Sequence, residues 1–354
     1  MEPIRKKKES FGRLLRRLCA VISALLLVTA LPLGIAATEG EDFKYEGLTL
    51  CPGGCAFGVK FSTKGVLVVS LSEIKGLAPA KDAGIHPKDL LLKIDGQEVN
   101  KVKEVAALVT ASEGRPMTVV LEREGKEKTV TLTAVKDEAG QYTAGMLLRD
   151  SSAGIGTVTY VDTESGLFGG LGHGICDIDT GVLMPLARGS AMKVRVGGVV
   201  KGLAGHPGEI KGYFLAERNG SVFSNTDWGV FGAFSSLPEG ISDPLPVASR
   251  YEVKEGKAEI ISTLGDDGPK HYEIEITKID REGTDNKNFA ITVTDARLKE
   301  RAGGIVQGMS GSPIIQNGKL IGAVTHVLVS DPTKGYGIFI ENMLDAAKSI
   351  QENE

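Results

Sequence analysis

Short apolar runs divided by turn residues dominate this chain, and their spacing sets the expected elements. Between residues 45 and 135, Gly65-Val66-Leu67-Val68-Val69-Ser70 and Leu90-Leu91-Leu92-Lys93-Ile94 read as buried strands, the second closed by the turn pair Asp95-Gly96. Val105-Ala106-Ala107-Leu108-Val109 has helical spacing, and a further strand is expected over 118–122. From residue 143 the runs shorten, as in Gly156-Thr157-Val158-Thr159-Tyr160-Val161, Lys193-Val194-Arg195-Val196 and Phe289-Ala290-Ile291-Thr292-Val293, and glycine or proline separates them. Helical periodicity returns only at 341–351. The expectation is a mainly β chain, with a compact mixed unit followed by a closed or sandwiched all-β domain.

The amino terminus follows a different pattern. Arg5, Lys6, Lys7, Lys8, Arg13, Arg16 and Arg17 precede an uncharged apolar run over 18–37, which leads into Glu39, Glu41 and Asp42. A run of about 20 apolar residues behind a basic flank is an export signal that keeps 1–17 on the cytoplasmic side and carries the rest across. Gly34-Ile35-Ala36 offers a passable cleavage site, and a retained or slowly processed anchor is preferred. The expected organisation is 1–17 basic, 18–37 membrane or signal segment, 38–44 linker, 45–135 compact unit and 143–354 β domain.

Composition narrows the function classes. With 354 residues, 42% of them hydrophobic, the chain can build two cores without disulfide scaffolding. A net charge of −4 leaves no basic footprint for nucleic acid, so DNA binding is not expected. Cys51 and Cys55 can pair or bind metal, but no second ligand pair accompanies them; free thiols are preferred, and no metal or cofactor is expected.

The chemistry centres on Gly308-Met309-Ser310-Gly311-Ser312-Pro313. Flanking glycines let the chain take conformations closed to other residues and let a substrate carbonyl approach, so Ser310 is the candidate nucleophile and the Gly308 and Ser310 amides the candidate oxyanion hole. The same residues also suit the turn that opens an ordinary hairpin before Ile314-Ile315. A serine needs a base, and Gly170-Leu171-Gly172-His173-Gly174 offers one in an equally open setting. His86, His206 and His271 lie in less suitable contexts, whereas His326 follows the serine closely enough to wall the site. For the acid, Asp295 at the end of an apolar strand is preferred to Asp177 and Asp179, whose Asp-Ile-Asp-Thr-Gly setting reads as a turn.

Two resemblances follow from these words. The order of elements over 45–135, from Cys51-Pro52-Gly53-Gly54-Cys55-Ala56-Phe57-Gly58-Val59 through Leu90-Leu91-Leu92-Lys93-Ile94-Asp95-Gly96, resembles a PDZ domain. That resemblance implies that Phe57, Gly58 and Val59 line a groove where a peptide adds as a strand. The amino-terminal segment, the PDZ-like unit, Gly172-His173-Gly174 and the stretch 291–316 together resemble the stage IV sporulation protein B peptidases of endospore-forming bacteria. The resemblance implies a chymotrypsin-like serine peptidase with His173, Asp295 and Ser310 as its triad. It also implies export into the space between forespore and mother cell, where cleavage of a membrane-bound regulator of an intramembrane protease triggers sigma-factor processing. Met309 stands where zymogen-type proteases carry an acid, so activation through a new amino terminus is not expected; regulation by the PDZ unit and cleavage of the chain's own linker between Thr38 and Leu48 are. The competing expectations are a non-catalytic adaptor of the cell envelope and a broad quality-control protease.

Overall fold

Long strands that leave one hydrophobic core and enter another organise the chain from Gly47 onward. The computed structural model describes residues 43–351, so the basic stretch 1–17, the apolar segment 18–37, most of the 38–44 linker and the tail past Gln351 lie outside the described residues. Among the described residues no helix is long and apolar enough to cross a membrane. Residues 43–46 belong to a separate small unit and form one turn, with the Glu46 amide on the Phe43 carbonyl at 2.9 Å.

After β1 (Thr49–Pro52) comes β2 (Ala56–Leu71), a strand of 16 residues. In its first half Phe57, Val59 and Phe61 alternate with Gly58, Lys60 and Ser62, so one face meets a core of Val158, Phe168, Val222 and Val230. At Gly65 (φ +80) the strand breaks its pairing register, the Gly65 amide donating to Asn100 Oδ1 at 2.9 Å. Beyond it, Val66 and Val68 enter a second core with Leu91, Ile94, Val105, Val109, Val119 and Leu121.

That second core belongs to α1 (Pro79–Asp82), β3 (Leu90–Ile94), β4 (Gln97–Glu98), α2 (Val102–Ala111), β5 (Met117–Arg123) and β6 (Lys126–Leu132), followed by a ribbon of β7 (Val135–Lys136) and β8 (Tyr142–Thr143). Asp95 (φ 48) and Gly96 (φ 79) form the tight β3–β4 turn expected of that pair. The first turn of α2 is capped by acids: Glu104 accepts from the Asn100 and Lys101 amides, and Asp150 accepts from the Val102 amide at 2.8 Å. The buried Asp89 carboxylate is held by Arg123 through two bonds of 2.6 Å.

The chain then returns along β9 (Met146–Val161), which pairs with β2 twice, Met146 to Arg149 beside the second core and Ser151 to Thr157 beside the first. β10 (Leu167–Gly170), β11 (Leu186–Val200), β12 (Glu209–Thr226) and β13 (Gly229–Phe234) complete a ring of pairings, β9-β10-β13-β12-β11-β2-β9, which closes a first barrel. β14 (Leu245–Pro246) pairs with β1. A second closed barrel, β15-β16-β17-β20-β19-β18, is formed by β15 (Gly256–Thr263), β16 (Pro269–Ile279), β17 (Phe289–Val293), β18 (Pro313–Gln316), β19 (Lys319–Val327) and β20 (Lys334–Phe339). α3 (Ala296–Ala302) lies between β17 and β18, and α4 (Ile340–Gln351) ends the described chain. Phe289 and Phe339 fill the second barrel edge to face, each contributing about 1.5–3 kcal/mol by burial.

This topology corrects the expected PDZ groove. Phe57, Gly58 and Val59 belong to the first barrel, paired on one side with Lys193, Met192 and Ala191 of β11 and on the other with Gly156, Ile155 and Gly154 of β9. A strand with both edges occupied cannot take on a peptide strand. Gly58 serves packing instead: a Cβ there would lie 2.3 Å from the Phe214 ring. The alternation of Phe57, Val59 and Phe61 reveals a half-buried strand without revealing whose core it joins. Cys51 and Cys55 are buried, unbridged thiols, and burial pushes the Cys55 thiol up to about 12.

Candidate active site

Ser310 and His173 sit on loops that lead away from different barrels and converge. β10 ends at Gly170, and Leu171 (φ +68) and Gly172 (φ +66) then turn the chain, so that His173 leaves the sheet. A Cβ at Gly172 would lie 3.1 Å from the Thr325 side chain of β19, so glycine lets this turn press against the second barrel. The Ser310 hydroxyl donates to the Thr325 carbonyl at 2.9 Å, and the next residue, His326, faces His173 with ring centroids 5.2 Å apart. Both loops also hang from one residue of β9: the Leu171 amide donates to the Thr157 carbonyl at 3.2 Å, and the Thr157 amide donates to the Ser310 carbonyl at 3.0 Å.

His173 Nδ1 lies 2.8 Å from the Gly174 carbonyl, which assigns the proton to Nδ1 and leaves Nε2 with the free lone pair. Burial lowers its pKa below the ordinary histidine value, opposed by that hydrogen bond, so the ring is neutral and basic at pH 7. His326 is pushed down to about 4, first by burial and then by the charge His173 would carry. Its Nδ1 is buried without a hydrogen-bond partner among the described residues. For Ser310 to pass a proton to His173 Nε2, as a triad would require, its hydroxyl would have to leave the Thr325 carbonyl.

The nucleophile loop has the hydrogen-bond pattern of an oxyanion hole. The amides of Met309, Gly311 and Ser312 are committed to the carbonyls of Val306, Val324 and Met309 at 3.1, 2.7 and 2.9 Å. Among the described residues the Gly308 and Ser310 amides have no acceptor, so both are available to a developing oxyanion. Gly308 (φ +97) and Gly311 (φ +94) hold conformations that suit glycine.

The expected acid is not brought to the histidine. Asp295 caps α3, accepting from the Arg297 and Leu298 amides at 2.8 and 3.2 Å and from the Glu273 amide at 3.3 Å, and it pairs with the Arg297 guanidinium at 2.7 Å. An aspartate at a strand end that opens a helix is drawn to the helix's unpaired amides, and here those amides and Arg297 hold the carboxylate while His173 Nδ1 takes the Gly174 carbonyl. Asp177 and Asp179 are committed as well, both to Arg149, with Asp177 also accepting from the Thr180 amide and hydroxyl at 2.8 Å. Asp227 lies in the β12–β13 turn. The preceding Thr226 carbonyl would lie 2.7 Å from a Cβ at Gly174, and burial, then the Asp227 charge, raise the pKa of Cys176 on the His173 loop.

A prediction separates capping from catalysis at Asp295. Arg297 first, then the backbone amides, hold its carboxyl at about 2 against an ordinary 3.8, so its stabilisation is present above pH 4 and is lost as pH falls through 2. Asp295→Ala is expected to cost roughly 1–2 kcal/mol at pH 7 by urea unfolding, whereas Asp295→Asn retains a capping oxygen and loses only a fraction of that. Asp295→Asn should also keep peptidase activity within about 10-fold. A loss near 10⁴-fold would return Asp295 to the role of orienting His173.

Comparison with known proteins gives this geometry a family. The model of the SpoIVB peptidase S55 family matches residues 140–344, more than half of the chain, and a PDZ domain model matches residues 33–134. The chain belongs to the SpoIVB peptidase S55 family. It is a serine peptidase carrying a PDZ domain, with a β-barrel protease fold. Among curated proteins it is 32% identical over 95 residues to the probable protease eep of Enterococcus faecalis, covering 26% of this chain and 21% of that protein. It is 38% identical over 79 residues to the putative zinc metalloprotease mll0638 of Mesorhizobium japonicum, covering 22% of each. The chain thus spans about a fifth of the length of these relatives. Among solved structures, the active form of the Rv3671c protease from M. tuberculosis is similar at 16% identity and a TM-score of 0.35, covering 56% of this chain and 74% of that one.

Proposed function

We propose that this S55 peptidase is an exported endopeptidase of sporulation signalling, which cleaves a membrane-bound regulator of an intramembrane protease in the space between forespore and mother cell. The observation that carries the chemistry is the convergence of the His173 loop, the Ser310 loop and two unspent amides. Ser310 Oγ attacks the scissile carbonyl while His173 Nε2 takes its proton, and the Gly308 and Ser310 amides receive the oxyanion. His173 returns the proton to the leaving amine, and water releases the acyl group by the same route. The family match supports the biological setting, and the basic and apolar segments at 1–37 support export with the chain anchored or released.

The PDZ domain supplies selectivity in this reading. Its peptide-accepting edge is assigned to the start of β9: Met146 to Arg149 pair with β2 on one side only, α2 stands alongside, and the Ala144 and Gly145 amides have no acceptor among the described residues.

Incubating the full-length chain with envelope membranes from sporulating cells, then mapping new amino termini by mass spectrometry, tests the proposal. A small set of cuts that requires Ser310, including one between Thr38 and Leu48, is expected. Digestion of unfolded casein as readily as any membrane protein would replace it with quality control, and cuts that persist in Ser310→Ala would overturn it.

A further inference from the structure

The nucleophile loop can be followed peptide by peptide. Around the Gly308 amide, the Gln307 carbonyl accepts from the Ile210 amide at 2.8 Å. The Gly308–Met309 peptide is held at both ends, its carbonyl by the Thr157 hydroxyl at 2.8 Å and its amide by Val306. The Met309 carbonyl accepts from Ser312, which leaves the Ser310 amide facing out. The Ser310–Gly311 peptide is again held at both ends, by the Thr157 amide and the Val324 carbonyl. Thr157 therefore holds the carbonyls of the two residues whose amides are unspent, and its hydroxyl makes the one side-chain bond in this series.

We infer that Thr157 is a positioning residue for the oxyanion hole, acting from the first barrel on a loop of the second. The inference rests on the reading of Gly308 and Ser310 as that hole. Thr157 is fully buried, and its own carbonyl takes the Leu171 amide, so one residue sets the spacing of the nucleophile loop and the histidine loop. Thr159 adds a parallel bond from its hydroxyl to the Gly311 carbonyl at 2.8 Å, which secures the far side of the serine. The hydroxyl fixes the Gly308–Met309 peptide, which links the two peptides that carry the free amides, and a hole works only when its donors point at the oxyanion before the charge forms.

The test uses the full-length chain, a fluorophosphonate probe at a series of concentrations, and the variants Thr157→Val and Thr157→Ser. Valine keeps the size and branching of threonine and removes the hydroxyl. The expected result is a maximal rate of Ser310 modification lowered about 10- to 100-fold, with the concentration for half-maximal rate and the pH profile unchanged, and a rate largely restored in Thr157→Ser. An unchanged maximal rate in Thr157→Val, with wild type and not Ser310→Ala labelled, would overturn the role of Thr157 and leave the nucleophile standing. A Thr157→Ser rate as low as that of Thr157→Val would also overturn it, by assigning the effect to lost packing. Wild type without an adduct would overturn the Ser310 reading, and this inference with it.

Discussion

Ser310→Ala is expected to lower peptide hydrolysis by roughly 10⁴- to 10⁶-fold and to abolish the fluorophosphonate adduct, with His173→Ala falling as far. In the proposed mechanism the two residues share a single proton transfer, so the double variant should be no slower than either single one. Residual activity would come from the Gly308 and Ser310 amides, which neither substitution removes. His326→Ala provides a contrast. That ring faces His173 at 5.2 Å, and with its pKa at about 4 it stays neutral while His173 works, so its loss should cost far less. Rates of Ser310→Ala and His173→Ala that multiply in the double variant would show that the two act separately, and the catalytic assignment would fall.

Gly311→Ala is expected to lower the rate about 100-fold and to destabilise the fold as well, for a mechanical reason. A Cβ at this position would lie 2.1 Å from the Thr157 carbonyl and 2.4 Å from the Leu171 amide, on a backbone at φ +94 that side chains avoid. Neither obstacle is the end of a flexible side chain. The methyl group must wedge the nucleophile loop away from the histidine loop, at a cost of roughly 2–4 kcal/mol in strain and clash. A displacement near 1 Å at the reacting atoms costs about 100-fold in rate. Urea unfolding at pH 7 and probe labelling well below the transition measure the two effects separately. Wild-type stability and labelling together would show that the loops are not packed as described.

Features whose signals are local were legible in the sequence. The Asp95-Gly96 turn, the strand at 90–94 and the helix around Val105 to Val109 each declare themselves within a few residues. Ser310 and His173 stand out because glycine surrounds both. The helix α3 was also within reach, with Asp295 as its cap and Gly303 (φ +79) as its stop, yet Asp295 at the end of an apolar strand looked like a catalytic acid. One aspartate can satisfy both descriptions, and only the path of the chain decides between them. The membership of β2 was not legible, because apolar alternation is the same in any half-buried strand. Thr157 could not be singled out either: its hydroxyl partner lies 151 residues away.

The paired passage of β2 and β9 through both cores changes how this peptidase can be taken apart. A cut in the charged stretch near residues 136–142, where composition suggests a boundary, would strip the first barrel of β2 and leave its ring open. The PDZ domain occupies the tip of a long hairpin, so a self-sufficient catalytic half must be made by excision and not by truncation. The place to rejoin the chain is where Ser62 and Ser151 face each other across the ladder, with a short turn replacing everything between them.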